Sequence, residues 1–415
     1  MTLDDVSSPA YFPTSRKWLV ALVGGLLLLG AFLRLMDSTD PPLDFHPTRQ
    51  LRNAIVARGL YYRMLPDSPQ RTTALKQMHS VGQYEPPIVE TLTAWGYRLT
   101  GGENWVVPRF ITTLFWLIGA LALFDLAHRA VNVDGALVAL AFYLVLPFSV
   151  QASRSFQPDP GMTMWIVLCA WALYRWGERP SWQWAVGAGI FGGIAALTKI
   201  VAAYLVGGAA LGVVLFTLGV RKALRHPQVW SMAALMVAPS LLYYLFGHPA
   251  RASEYFVNWT LKLLHLIADP AFYVRWMSFL HTLFGLTPLF LALFGVLLAQ
   301  GRLRALLLGL WGGYFVYGLT LPYQMYTHSY YHLQLVPIVA LSLAPVAQRL
   351  FRALTEQARI WQYAGIALLL AAVAYPSWVA RSTLLAEDFR AEPAYWQEVA
   401  AAIPADGNVV ALTQD

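Results

Sequence analysis

Charge is scarce in this chain. Asp, Glu, Lys and Arg make up 12% of its 415 residues, about half the share of an ordinary soluble domain. Hydrophobic residues make up 58%, and no soluble core of this length can bury so many helices that are apolar all round. Cysteine is nearly absent too. Cys169 stands alone, which removes any intrachain disulfide framework and any cysteine-based metal site. After the first apolar run there is no small-residue cleavage site, only Pro41 and Pro42, so the run reads as a retained helix and not as a cleaved signal. The net charge of +7 does not call for nucleic acid, because much of the Lys and Arg sits in short loops between apolar runs.

Those apolar runs dominate what is there. Eleven can be drawn, at about 18–37, 107–126, 133–150, 161–177, 182–198, 201–219, 229–247, 279–299, 304–321, 330–348 and 359–379, each near the ~18 to 20 residues that cross a bilayer. The expected fold class is an all-α polytopic membrane protein with about eleven transmembrane helices. Two further stretches, 46–63 and 86–99, are too polar to span but keep helical periodicity; they read as interfacial helices in the first outer loop. With the N-terminus cytoplasmic, alternate loops carry Arg16 and Lys17, Arg129, Arg175 and Arg179, Arg221 with Lys222 and Arg225, Arg302 and Arg304, and Arg349 with Arg352 and Arg359. The short loops on the other side hold only Arg154 and Lys199. This is the asymmetry of the positive-inside rule. It puts the loops 38–106 and 248–278 outside, together with the tail. The membrane domain is then 1–382, and 383–415 reads as the start of an outer soluble tail or as a truncated C-terminal domain: a helix over 387–402, then a strand, VVALT.

Unusual polar residues collect on that outer face. The first loop contributes Asp44, His46, Arg49 and Arg52, then Gln83, Tyr84 and Glu85. Ser153, Arg154, Gln157 and Asp159 precede the fourth span, and Lys199 sits between the fifth and sixth. His248, Glu254, Lys262, His265 and Asp269 come from the long outer loop, and Gln324, His328, Tyr330, Tyr331 and His332 from the connection before the tenth span. Ionisable groups at membrane depth are costly and mark substrate paths. Guanidinium groups beside a carboxylate and an imidazole suit a phosphorylated ligand. Plainer alternatives stand beside each reading. Asp44, Glu85 and Asp159 each precede a proline and suit helix caps; the basic groups suit ordinary lipid headgroups; Tyr330 and Tyr331 suit an aromatic belt.

Five segments, LDFHPTRQ, QYEPPIVETLTAWGYRLTG leading to VPRF, SRSFQPDP, GIFGGIAALTK and THSYYHLQLVP, follow one another across 18–348. In content and order they resemble the GT-C superfamily of membrane glycosyltransferases, in particular protein O-mannosyltransferases (glycosyltransferase family 39) and lipid A aminoarabinose transferases. The resemblance implies transfer of a sugar from a polyprenyl-phosphate donor to an acceptor hydroxyl of a protein, lipid or glycan, on the outer face of the plasma (inner) membrane and usually with inversion. It makes Asp44 the general base and Glu85 a second catalytic carboxylate. Arg49, Arg52, Arg154 and Lys199 would bind the donor phosphate, and His46, Asp159, His328, Tyr330 and Tyr331 would line the substrate. No cofactor is certain; a divalent ion on Glu85, His46 and His265 is one reading. Asp-Phe-His stands where the commoner pattern has Asp-Glu, and Glu-Pro-Pro where it has His-Pro-Pro. A catalytically inactive GT-C-like subunit of a membrane assembly therefore remains the alternative. A lipid or glycan transporter fits less well, because its polar groups belong near mid-bilayer on broken helices.

Overall fold

The computed structural model describes residues 10–82, 85–246 and 257–403, and among them are helices and 3₁₀ turns but no strand. Helix α1 (Arg16–Leu35) leads into a connection carrying α2 (Pro47–Arg63), α3 (Pro69–Ser80) and α4 (Ile88–Thr100). Next come α5 (Val106–Ala130), α6 (Val133–Val145), α7 (Pro147–Arg154), α8 (Asp159–Glu178), α9 (Trp182–Thr198), α10 (Ala202–Ala223) and α11 (Pro227–Phe246). A 3₁₀ stretch, Leu261–Ala268, precedes α12 (Pro270–Phe284), α13 (Leu286–Leu298) and α14 (Gly301–Thr320). The 3₁₀ turns Gln324–Tyr326 and Ser329–His332 open onto α15 (Leu335–Thr355), followed by α16 (Arg359–Ala386) and α17 (Glu392–Ala401).

By length and composition, six helical segments among the described residues can cross a membrane: α1, α5, α10, α11, Ser329–Thr355 and α16. The number rises to eight if each of two bent pairs counts once. This is an integral membrane protein. The runs expected at 161–177, 182–198 and 304–321 are also helices, α8, α9 and α14, outside those six.

Two expected spans are not straight. The run 133–150 is α6 and α7, bent by 60°. Pro147 opens α7 at its first position, where its missing N–H costs nothing, but it cannot donate back into α6. The run 279–299 lies on α12 and α13, which meet at 101°. Gly285 makes that corner with φ 76°, a conformation that a side chain would strain. Helix α3 was not expected, because its polar sequence has no apolar stripe; the Ser68 hydroxyl caps it by accepting from the Arg71 N–H at 3.1 Å. The tail helix begins at Glu392 and not at 387, while VVALT lies outside the described residues. The outer loop 248–278 is described only from 257, and it holds the 3₁₀ stretch Leu261–Ala268.

The buried core centres on α5, α6, α8 and α15, with Trp116 of α5 stacked on Tyr143 of α6 at 4.1 Å between ring centroids. Helices α10 and α14 meet through glycines. A Cβ on Gly208 would run into the Gly309 carbonyl, and one on Gly309 into that of Gly208. Close backbone approach of this kind gives membrane helices much of their packing energy. Gly309→Leu is therefore expected to cost about 1–3 kcal/mol by overpacking, read as a lowered thermal midpoint of the detergent-purified protein, whereas Gly312→Leu, with nothing within 4 Å of its Cβ position, leaves the midpoint unchanged.

Candidate active site

The connection from α1 to α2 turns through Asp37 and His46, both left-handed non-glycine residues with φ 52° and 50°. Such conformations cost of order 1–3 kcal/mol each and persist where surrounding contacts enforce them. Around Asp37 the contacts come from two arginines on other helices. Arg154, at the end of α7, donates through Nε to the Arg34 carbonyl at 3.1 Å and through Nη2 to the carbonyls of Met36 and Asp37 at 2.8 and 3.1 Å. Arg109 of α5 donates to the carbonyls of Asp37 and Pro41 at 2.5 and 3.5 Å. Both also reach Asp44, whose Oδ2 lies 3.3 Å from Arg154 Nη1 and 3.4 Å from Arg109 Nη2. Its Oδ1 accepts from Gln50 Nε2 at 3.1 Å. The side chains of Asp44, Arg109 and Arg154 are only 4, 2 and 2% exposed. Behind them Arg34 is buried on the carbonyls of Gly30 and Leu144 and the hydroxyls of Ser149 and Ser153, at 2.6–3.4 Å.

A second cluster starts at Arg49, in the first turn of α2. Arg49 Nη2 lies 3.1 Å from Glu85 Oε1, and Arg52 Nη1 lies 3.9 Å from Glu85 Oε2. Lys199, capping the C-terminal end of α9, pairs with Asp159 Oδ1 at 2.8 Å. Its ammonium faces the rings of Tyr330 and Tyr331 at 4.7 and 4.6 Å, and Arg49 faces Tyr330 at 5.1 Å. His46 Nε2 shares a 2.9 Å hydrogen bond with the Ser329 hydroxyl, and its ring meets Tyr330 edge-on at 4.7 Å and lies parallel to His328 at 6.2 Å.

Electrostatics separate the members of this cluster. Burial works to raise the Glu85 carboxyl, but Arg49, Lys199 and Arg52 pull it below its ordinary value. Burial works against the Arg49 charge, and Glu85, with Tyr330, Tyr331 and Asp159, more than restores it. Lys199 is lowered by burial, with Asp159 offsetting part of the effect. Burial, helped by His328, Arg49 and Lys199, pushes His46 down to about 4; burial, Arg49 and Lys199 likewise lower His328. Both imidazoles are thus neutral at pH 7.

The residues singled out in the sequence therefore fall into two groups. Asp44 and Arg154 meet in the first; Arg49, Arg52, Glu85, Lys199, Asp159, His46, His328, Tyr330 and Tyr331 meet in the second. Arg154 is the displaced member: expected on a phosphate, it spends its donors on Asp44 and three carbonyls. Asp159 and Lys199, noted separately, prove to be partners. The metal reading does not fit the donor set. Glu85 is held by two guanidiniums, His46 by Ser329, and His265 bonds the Lys262 carbonyl at 2.8 Å; among the described residues no three His, Cys, Asp or Glu side chains gather as a ligand group. His248, Glu254, Gln83 and Tyr84 lie outside the described residues. Sequence reasoning missed Arg109, Gln50 and Arg34. For Arg34 and Arg109 a signal existed, a guanidinium within or beside an apolar run; a glutamine on a polar helix carries none.

Two measurements check this geometry. Removing one partner of a buried ion pair costs about 3–5 kcal/mol, so Asp44→Asn and Arg154→Met should each lower stability by amounts of that order. Because they share the interaction, the double variant should lose less than the sum, read by thermal unfolding in detergent. For His46 the folded value lies below the unfolded one of about 6.5. The unfolded chain then binds the extra proton, and stability is lost as pH falls from about 6.5 toward about 4. His46→Gln should flatten that slope of the unfolding midpoint.

The chain is similar to known proteins in part of its sequence and in its fold. Residues 84–246 match the family model described as dolichyl-phosphate-mannose-protein mannosyltransferase. No curated protein sequence matches the chain. Among solved structures, the Archaeoglobus fulgidus oligosaccharyltransferase in complex with Zn and sulfate aligns with a TM-score of 0.56 at 13% identity, covering 88% of this chain and 53% of that one. ArnT from Cupriavidus metallidurans bound to undecaprenyl phosphate aligns at 0.54 and 19% identity, covering 86% and 64%. The A. fulgidus oligosaccharyltransferase AglB in complex with an inhibitory peptide and a dolichol-phosphate aligns at 0.51 and 14%, covering 89% and 56%. This chain thus spans between about half and just under two thirds of the length of these proteins. The chain shares the membrane-helix fold of these solved transferases, and its residues 84–246 are similar to the dolichyl-phosphate-mannose-protein mannosyltransferase family.

Proposed function

We propose that this protein transfers a sugar from a polyprenyl-phosphate-linked donor to an acceptor hydroxyl on the outer face of the membrane. The N-terminus is cytoplasmic, eleven helices cross, and α2 and α4 lie at the outer interface. The observation that carries this reading is the second cluster. Arg49 of α2 and Lys199 at the end of α9 face a tyrosine pair, with Arg52 beside Glu85, next to the loop that holds a buried aspartate. Arg49, Arg52 and Lys199 face the donor phosphate, where guanidinium forks and an ammonium stabilise the charge growing on the leaving oxygen. Glu85 holds the two guanidiniums in place, and Asp159 holds Lys199. Tyr330 and Tyr331 offer ring faces to the sugar, with His46 and His328 beside them.

In the transfer step the acceptor oxygen bonds to the anomeric carbon from the side opposite the phosphate, which inverts that centre. The anomeric carbon–oxygen bond breaks, and its electron pair leaves with the lipid phosphate. The acceptor proton passes to Asp44, the general base. Arg154 and Arg109 orient that carboxylate, so Arg154 serves the base and not the phosphate.

A positioned base contributes typically about 10²–10⁴-fold, and Asp44→Asn should slow sugar transfer from a polyprenyl-phosphate donor by that order. Lys199→Met should raise the donor KM while the protein still folds. Undiminished activity in Asp44→Asn would remove Asp44 from the mechanism. A parent protein inert toward every polyprenyl-phosphate sugar tested would favour the inactive-subunit reading.

A further inference from the structure

Gln50 lies on the first turns of α2 and is fully buried. Its carboxamide reaches two of the segments that meet at the site. The Nε2 donates to Asp44 Oδ1 at 3.1 Å and to the Phe45 carbonyl at 2.7 Å, while the Oε1 accepts the Phe156 N–H at 2.8 Å. Phe156 follows Arg154 by two residues. Next to it, Asn53 donates to the Phe156 carbonyl at 2.8 Å and Gln157 to the Phe45 carbonyl at 3.3 Å. One amide thus locks the aspartate-bearing loop to the chain that supplies one of its guanidiniums.

The two oxygens of Asp44 are treated differently. Both guanidiniums lie on Oδ2, and Gln50 donates to Oδ1. A carboxylate oxygen offers two lone pairs. A hydrogen bond from a neutral amide is roughly half as strong as one from a cation, so Oδ1 keeps more of its basicity than Oδ2 does.

We infer that Gln50 is a positioning residue for the transfer step: by holding Oδ1 with a neutral donor, while both guanidiniums occupy Oδ2, it fixes Oδ1 as the oxygen that takes the acceptor proton. This inference rests on the proposed role of Asp44. Gln50 touches no substrate and acts through the carboxylate it orients.

The test compares Gln50→Glu and Gln50→Met in detergent-purified full chain, with kcat, donor KM and the pH profile of kcat as readouts. Gln50→Glu keeps an acceptor for the Phe156 N–H, loses both donors and sets a like charge beside Asp44; it therefore decides the matter if Gln50→Met folds poorly. Expected are a kcat lowered about tenfold or more, a donor KM within about twofold of the parent, and an acidic limb moved up by about one pH unit. Gln50→Met placed on Asp44→Asn should cause no further loss of kcat, since both changes act on one group. An unmoved acidic limb, with kcat and KM disturbed alike, would leave Gln50 a packing residue and overturn the inference. If Asp44→Asn is itself fully active, the base assignment fails, a result distinct from an inactive Asp44→Asn beside Gln50 variants of parental profile.

Discussion

An ionised carboxylate out of water needs opposite charge and hydrogen bonds around it, and the packing around Asp44 supplies both. Its partners come from α2, α5 and α7, so the ends of three helices must be in register before the aspartate is satisfied. The dependence also runs the other way. Arg154 and Arg109 hold the main chain from Arg34 to Pro41 through its carbonyls, and that main chain brings Asp44 within reach of the same two guanidiniums. The bend between α6 and α7 belongs to this arrangement. A straight helix through Leu146 and Pro147 would carry Arg154 along the axis of α6, away from the loop. Arg34 secures the bend by bonding the Leu144 carbonyl on one side of it and Ser149 and Ser153 on the other.

His46 marks the division between the two clusters. Its backbone turns left-handed at the start of α2, so that Asp44 faces the arginines behind while His46 and Arg49 face the tyrosines in front. The strained residue separates a closed ion cluster from a more open one, since Arg49 and Glu85 retain 20 and 15% of their side-chain exposure. The rest of the neighbourhood is braced from the far end of the chain. The Phe389 N–H bonds Asp40 at 2.9 Å, and Arg390 pairs with Asp37 and Asp40. The segment after α16 thereby closes over the first connection.

Much of this was legible in residues whose chemistry conflicts with their surroundings. Lys199 between two apolar helices, Arg154 before a span and Asp44 after one all stood out, and all became parts of the clusters. Helix positions were legible from apolar run length, as for α1, α5 and α10. Pairing was not. Periodicity tells which face of a helix is apolar, but nothing in α2 says that Gln50 will meet Phe156, 106 positions on. Arg109 carried a signal, a guanidinium at the start of an apolar run, but not its partner, and the 101° corner at Gly285 was concealed by a run that read as one continuous span. Arg154, expected on a phosphate, lies on a carboxylate: a guanidinium suits both, and only the three-dimensional structure shows Asp44 beside it.

The second cluster contains its own counter-ions. Arg49, Arg52 and Lys199 give three positive charges and Glu85 and Asp159 two negative ones, which leaves one net positive charge (3 − 2). In the proposed reaction the donor is a phosphodiester with a single negative charge, which that excess balances. The departing lipid phosphate is a monoester carrying about 1.5 to 2 negative charges at neutral pH, more than the cluster offsets. Substrate and product thus meet different charge balances in the same place. On the proposed reaction, the carboxylates that hold the cations in place would also limit how tightly the spent carrier is held, and so favour its return to the bilayer.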